Sequence, residues 1–337
     1  NSGRVLFAQN AKKHLPPASV TKVMTLLLLL DACDKGKIAT DDKVTISENA
    51  ASMGGSQMYL EPGEQHTVEE LLKGVIMASA NDGAVALAEH LSGSVEGFVD
   101  DMNAKAAEMG LKNSHFVNTN GLPVAKHYSC AYDIGMICRQ LMTYEFARDW
   151  FTAWQEDIKV GLPGKEKDFT LTNTNKMIRT YKGAIGGKTG FTQDAGYCLA
   201  EAAQRDSTRM IAVVLGCKDS KVRFAETARL LDHGFASYET VPVAKKGQKL
   251  RTITLPKSDQ QEVAAVPEET IAATVKKGKK ANITKKISID KSVACPVKKG
   301  EKVGTIHIYD ENKKIASYPL VSDRDAEKAG FMTLYIR

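Results

Sequence analysis

The sequence predicts an α+β fold, an antiparallel sheet flanked by helices, followed by a small all-β sandwich domain. Three observations carry this. Strand-forming segments lie near the start and again beyond residue 186, with a mostly helical stretch between them. Residues 196–202 and 209–216 flank the turn Gln204-Arg205-Asp206-Ser207 and read as an antiparallel hairpin. After Tyr238 the composition changes to short alternating strands, punctuated by Lys246-Gly247, Lys277-Gly278 and Lys299-Gly300. A length of 337 residues is about twice a usual single domain. The boundary falls near Tyr238–Pro242, giving units of 1–238 and 239–337.

In chain order, residues 3–8 read as a first strand, which with the opening Asn1 predicts a trimmed N-terminus. Pro16 and Pro17 fix an extended approach, and Ser19 opens a long apolar helix to about Cys33. Its run Leu26–Leu30 is bounded by Lys22 and Asp31, far below the ~18 apolar residues of a membrane span. It reads as a buried core helix. Residues 41–46 suggest a short strand. Thr67 as N-cap, with Glu70 three residues on, is a capping-box signature for a helix running to about Ala78. Another helix starts near Asp82 and runs to His90. Residues 94–109 are amphipathic, with Phe98, Val99, Met102, Ala106 and Met109 on one face. Residues 223–238 look helical and close the first unit. Strands at 250–255, 305–309 and 316–321 characterise the second.

Hydrophobic residues make up 43% of the chain and charged residues 26%, enough apolar material for a sizeable core. The formal charge of +6 is only mildly basic, and no nucleic-acid-binding motif accompanies it, so nucleic acid is not a predicted partner. Cys33, Cys130, Cys138, Cys198, Cys217 and Cys295 show no C-x-x-C spacing and read as free, mostly buried thiols. The hairpin leaves room for one disulfide between Cys198 and Cys217. The seven His residues form neither H-x-H nor H-x-x-x-H, so no metal site is predicted, and no cofactor motif is present.

Three segments carry chemistry. In Ser19-Val20-Thr21-Lys22, residues three apart on a helix share a face, placing hydroxyl and amine side by side. A serine hydroxyl needs such a base, and lysine serves as one only if burial or a second cation lowers its pKa. Lys188 could supply that cation. The Ser19 N–H, at a helix start, is free of an intrahelical partner and can stabilise an oxyanion. Ser79-Ala80-Asn81 falls between two helices, where Ser79 could relay protons and Asn81 could bind Lys22 and a substrate carbonyl. Lys188-Thr189-Gly190 begins the first strand of the hairpin; Gly190 admits a substrate backbone along the strand. Lys188 and Thr189 would hold a carboxylate, with the Phe191 N–H as second oxyanion donor. Each segment alone also reads blandly, as an N-cap, a capping loop and a strand-entry turn. Their order and company favour the catalytic reading.

With Leu15–Thr25, Met77–Asp82, Asn120-Gly121-Leu122-Pro123, His127-Tyr128-Ser129, Ala131-Tyr132-Asp133 and Gly186–Thr192, the chain resembles the D-alanyl-D-alanine carboxypeptidases over essentially its whole length. These are low-molecular-mass penicillin-binding proteins of the serine peptidase S11 type. The resemblance implies a β-lactamase/transpeptidase-like domain and removal of the terminal D-alanine from peptidoglycan stem peptides ending in D-Ala-D-Ala. It also implies an acyl-Ser19 intermediate, covalent acylation by β-lactams, and action outside the cytoplasmic membrane. Members usually carry a further C-terminal amphipathic helix that contacts the membrane. This sequence stops at Arg337 without one, so either that segment was removed or this member anchors differently. Members often have His where Phe191 stands, and an Arg that binds the carboxylate has no clear counterpart around Asn173-Thr174-Asn175-Lys176. Two alternatives compete. A class A β-lactamase would need a deacylating E-x-x-L-N segment, and none lies between Asp82 and Gly187, where Glu166 is followed by Lys-Asp-Phe. A non-catalytic β-lactam or muropeptide binder would not need the intact Ser19, Lys22, Ser79, Asn81 and Lys188.

Overall fold

The computed structural model describes residues 2–256, 258–278 and 282–329. Lys279 and Lys280 of one lysine-rich turn, and the chain end at Arg337, lie outside the described residues. The chain divides into two compact units. One comprises residues 7–205 and 209–234. The other gathers residues up to Leu6, residues 206–208 and the chain from Phe235 onward.

The first unit is organised on a three-stranded sheet in chain order, Ala184–Thr192, Gly196–Arg205 and Thr208–Cys217. Residues 198–203 of the middle strand are all buried, the pattern of a strand covered on both faces. The helix Lys22–Asp34 is apolar around its circumference, with Val23, Met24, Leu26, Leu27, Leu29 and Leu30 all buried, and therefore sits inside the core. Helices Asn81–Ser92, Val95–Glu108 and Ala131–Leu141 join the same core.

Several local expectations and the structure agree for visible reasons. Thr67 Oγ1 accepts from Glu70 N at 3.1 Å while Glu70 Oε2 accepts from Thr67 N at 2.8 Å, a complete capping box. The helix it starts, Val68–Lys73, passes into a π-helical turn over Gly74–Ala78 and delivers Ser79 in the left-handed conformation, φ 63°. Among the described residues no helix is long and apolar enough to cross a membrane.

Two expectations differ. Residues 3–8 form no strand. Instead Arg4 Nη1 donates to Thr274 O at 3.0 Å and pairs with Asp310 at 3.2 Å, so side-chain anchoring within the second unit replaces a ladder. Lys188-Thr189-Gly190 does not begin the 196–216 hairpin. It lies within the strand Ala184–Thr192, at the edge of the sheet, paired antiparallel with Gly196–Arg205. The cysteines agree with the sequence reading, since all six are free and the disulfide left open between Cys198 and Cys217 is not formed.

The second unit is all-β. A five-stranded sheet runs Ile283–Ile289, Lys302–Asp310, Lys313–Ser322, Glu262–Pro267, Arg251–Thr254, and Ile271–Lys276 pairs with Tyr238–Ala244. Val263, Ala265, Ala273, Val275, Val303, Ile306, Ile308 and Leu320 fill its core. The Lys-Gly turns work as read, since Gly247, Gly278 and Gly300 adopt φ of 70°, 79° and 81°.

Thr67→Ala should therefore lower the stability of the first unit by about 1 kcal/mol, the usual worth of an N-cap side chain. Urea unfolding with unchanged m checks this; an unaltered midpoint would mean the box is redundant.

Candidate active site

The nucleophile corner is tighter than a simple helix start. Ala18–Thr21 forms a 3₁₀ turn, entered through Ala18 at φ 48°, and the α-helix proper begins at Lys22. In a 3₁₀ turn residues i and i+3 eclipse, which brings Lys22 Nζ to 3.1 Å from Ser19 Oγ. Two glycines allow neighbouring segments to close on this turn. A Cβ on Gly121, itself at φ 85°, would lie 1.8 Å from Ala18 O. A Cβ on Gly190 would come to 3.0 Å from Pro17 O, Ser19 N and Val20 N. The Gly190 strand thus packs directly against the serine.

Lys22 is wholly buried. Its Nζ lies 2.6 Å from Asn81 Oδ1 and 3.0 Å from Asn120 O, both pure acceptors that consume two N–H hydrogens. Burial holds this amine well below the usual lysine range, the Lys188 charge pushes the same way, and Asp82 opposes them. When the amine is neutral, these two acceptors take its two hydrogens and its lone pair is left for Ser19 Oγ. That is the geometry of a general base.

Around this pair, Ser79 Oγ is buried without a hydrogen-bond partner. Asn81 Nδ2 donates to Gly54 O at 2.6 Å and Asn81 N to Ser56 O at 2.7 Å, tying the site to the loop that precedes Leu60. Asp82, which sequence reasoning placed only at a helix start, organises that loop. Its carboxylate accepts from Met58 N at 2.9 Å, Leu60 N at 3.3 Å and Gly83 N at 2.9 Å. His127 is a second unforeseen brace. Its Nδ1 accepts from Val117 N at 3.1 Å, so Nε2 carries the hydrogen and donates to Thr21 Oγ1 at 2.8 Å. Burial, with His115 nearby, lowers this imidazole to about 4 and keeps it neutral.

Lys188 is also buried, and its ammonium is pushed down to about 7 by burial first and by Arg223 second. Thr189 Oγ1 lies 2.7 Å from Thr174 Oγ1. Phe191 is 51% exposed and lies tilted against Tyr197 with ring centroids 4.3 Å apart, and its hydrocarbon side chain brings no acid or base. Arg223, which the sequence reading did not single out, donates to Gly190 O at 3.2 Å and to Cys198 O at 3.4 Å. One signal pointed to it. Arg223 lies in the first turn of the helix Ser220–Ser237, where a cation opposes the macrodipole and calls for another reason to be there.

A serine beside a buried lysine of lowered basicity, with Lys188 and Arg223 close by, is an arrangement suited to serine acyl transfer. The comparisons specify the family. The D-alanyl-D-alanine carboxypeptidase family, peptidase S11, matches residues 1–219, and the Penicillin-binding protein 5 C-terminal domain matches residues 238–328. The chain belongs to the D-alanyl-D-alanine carboxypeptidase family. It is 42% identical to the Bacillus subtilis D-alanyl-D-alanine carboxypeptidase DacF, over 100% of this chain and 86% of that protein. Identity to Escherichia coli D-alanyl-D-alanine carboxypeptidase DacC is 34%, over 98% of this chain and 83% of that one. The structure of penicillin-binding protein 5 from Haemophilus influenzae superposes with TM-score 0.78 at 32% identity, covering 97% of this chain and 95% of that one.

Lys188 links the site to stability. In the fold it releases its proton at about 7, in the unfolded chain only near 10.5. Between those values the unfolded chain binds more protons, so this group's contribution to stability rises with pH and is lost as pH falls towards 7. The unfolding free energy of the wild type minus that of Lys188→Met should accordingly increase from pH 7 to pH 10. A difference that stays flat would show the lysine to be charged in the fold.

Proposed function

We propose that Ser19 is the acylated nucleophile and Lys22 its base, in an enzyme that removes the terminal D-alanine from peptidoglycan stem peptides ending in D-Ala-D-Ala. The observation that carries this is the Lys22 amine, buried, with two acceptors for its hydrogens and Ser19 Oγ at 3.1 Å. Ser19 Oγ attacks the carbonyl of the penultimate D-alanine and passes its proton to Lys22 Nζ. Backbone N–H groups of Ser19 and Phe191 receive the oxyanion. Ser79 lies on the proton route to the leaving amine, and Asn81 orients Lys22. Lys188 and Thr189, with Gly190 giving the substrate backbone room, hold the terminal carboxylate; Arg223 behind Gly190 adds positive potential there. Water then cleaves the acyl-Ser19 ester. A β-lactam enters the same way, its carboxylate and lactam carbonyl standing in for those of the peptide.

Ser19→Ala should abolish both penicillin labelling and D-alanine release from diacetyl-Lys-D-Ala-D-Ala in a folded protein, and label surviving on the variant would sink the assignment. Lys22→Ala should slow acylation by at least about 10²-fold, the range for a positioned acid–base group. Nitrocefin separates the β-lactamase alternative. One stoichiometric acylation is expected, and rapid repeated turnover would favour the lactamase. Glu166 does not argue for that alternative, being exposed in a hairpin loop where its carboxylate accepts from Gly164 N at 2.9 Å.

We place the enzyme on the cell-wall side of the cytoplasmic membrane, with the β-unit as a spacer and the membrane touched through a C-terminal helix outside this sequence. Exposed lysines such as Lys277 are screened by salt. Co-sedimentation of this chain with anionic vesicles should be weak and salt-sensitive, and strong salt-resistant binding to neutral lipid would contradict the spacer reading.

A further inference from the structure

Glu201 is a carboxyl in an unexpected place. It sits in the middle strand of the sheet, fully buried, among Ala200, Ala202 and Ala203. Burying a carboxyl where an apolar residue would pack costs stability unless something is gained. Its surroundings are shaped to it. Glu201 faces Gly187 in the register, and a Cβ on Gly187 would stand 2.9 Å from Glu201 Oε2 and 2.1 Å from Ala200 O. The carboxyl therefore lies over the strand that carries Lys188 and Thr189. The Gly186 N–H donates to it, and Asn175 Nδ2 donates to Oε2 at 2.6 Å.

Asn175 anchors a short segment whose every link is satisfied. Its backbone N–H donates to Asn173 Oδ1 at 2.9 Å, and its own Oδ1 accepts from Met177 N at 3.2 Å. Asn173 Nδ2 donates to Ala153 O at 2.9 Å, and Thr174 N to Met77 O at 3.0 Å. What this stitching leaves directed at the site is one exposed side chain, Thr174, with its hydroxyl 2.7 Å from Thr189 Oγ1.

We propose that Glu201 is a positioning residue: by holding Asn175 it presents the Thr174 hydroxyl to Thr189, and so sets the orientation of the hydroxyl that receives the substrate's terminal carboxylate. The inference rests on the reading of Lys188 and Thr189 as the carboxylate holders. Burial raises the Glu201 carboxyl to about 8, so near neutral pH it acts chiefly as an uncharged hydrogen-bonding group. Glutamine, with the same shape and an acceptor oxygen for Asn175, should replace it.

The test compares acylation by benzylpenicillin with acylation by its methyl ester, which keeps the lactam and loses the negative charge. Wild type should prefer the acid. Glu201→Ala and Thr174→Val should each cut that preference by at least about fivefold, the scale of a lost hydrogen bond near a charge, with the ester rate little changed. Because both act on one link, the double variant should be no worse than either alone. Glu201→Gln should stay within about twofold of wild type. A merely structural role would slow acid and ester together, and that result, or a preference preserved in Thr174→Val, overturns the proposal. If Glu201→Ala does not fold, Thr174→Val at the surface still tests the hydroxyl and Asn175→Ala tests its link to Glu201, and a preference preserved in either overturns the proposal. A wild type without any preference for the acid would instead overturn the carboxylate reading itself, and this inference with it.

Discussion

The site depends on keeping an amine dry. Lys22 sits at the start of a helix whose sides are all apolar, beneath a turn closed by two other segments, and water has no access to its Nζ. An ammonium in that position is opposed by desolvation and by the neighbouring Lys188. Only the Asp82 carboxylate opposes those effects, and its charge is already engaged by the N–H groups of Met58, Leu60 and Gly83. The depression of the Lys22 amine thus depends on packing contributed by the whole first unit.

Dryness in turn requires close approach, and close approach explains the glycines. Gly121 lets the Asn118–Leu122 loop reach Ala18, bringing Asn120 O to Lys22. Gly190 lets the edge strand touch the serine turn, and Gly187 leaves room for the Glu201 carboxyl. At Gly121 and Gly187 the obstructing atoms are backbone, which cannot rotate away. These positions are fixed by atoms in elements remote in sequence, so their role becomes visible only when the segments are brought together.

That separates what the sequence shows from what it conceals. Local chemistry was legible: the Thr67–Glu70 box, the core helix with its unbroken apolar run, the Lys-Gly turns, and the three short segments that carry hydroxyl, amine and amide. Each is decided by residues within a turn or two of one another. The N-terminal segment misled because the apolar run Val5-Leu6-Phe7-Ala8 suits a strand, whereas the ladder partner needed to make it one is not supplied and Arg4 provides the attachment instead. The placement of Lys188-Thr189-Gly190 was displaced by one strand because two adjacent apolar runs compete for one hairpin signal. The contacts of Asp82 and His127, residues named only at a helix start or within family-like segments, and the roles of Arg223 and Glu201 stayed hidden for a common reason. Each acts across more than twenty positions, through a backbone atom or a side chain that no periodicity marks.

The electrostatic outcome is asymmetric, and the asymmetry supports the functional reading. Lys22, Lys188 and Arg223 gather at one end of the edge strand, and Lys22 and Lys188 are both shifted toward neutrality. Cations held close together with one carboxylate, Asp82, near Lys22 are destabilising in the free protein and relieved by a bound anion. In the proposed reaction a peptide ending in a carboxylate supplies that anion in the same step that brings its scissile carbonyl to Ser19. Its arrival would favour the protonated form of Lys188 while leaving Lys22, screened by Asn81 and Asn120 and turned toward the serine, to accept the hydroxyl proton. Burial draws both amines down from the ordinary lysine range, helped at Lys22 by the Lys188 charge and at Lys188 by the Arg223 charge, so that in the proposed reaction one lysine can serve binding and the other proton transfer.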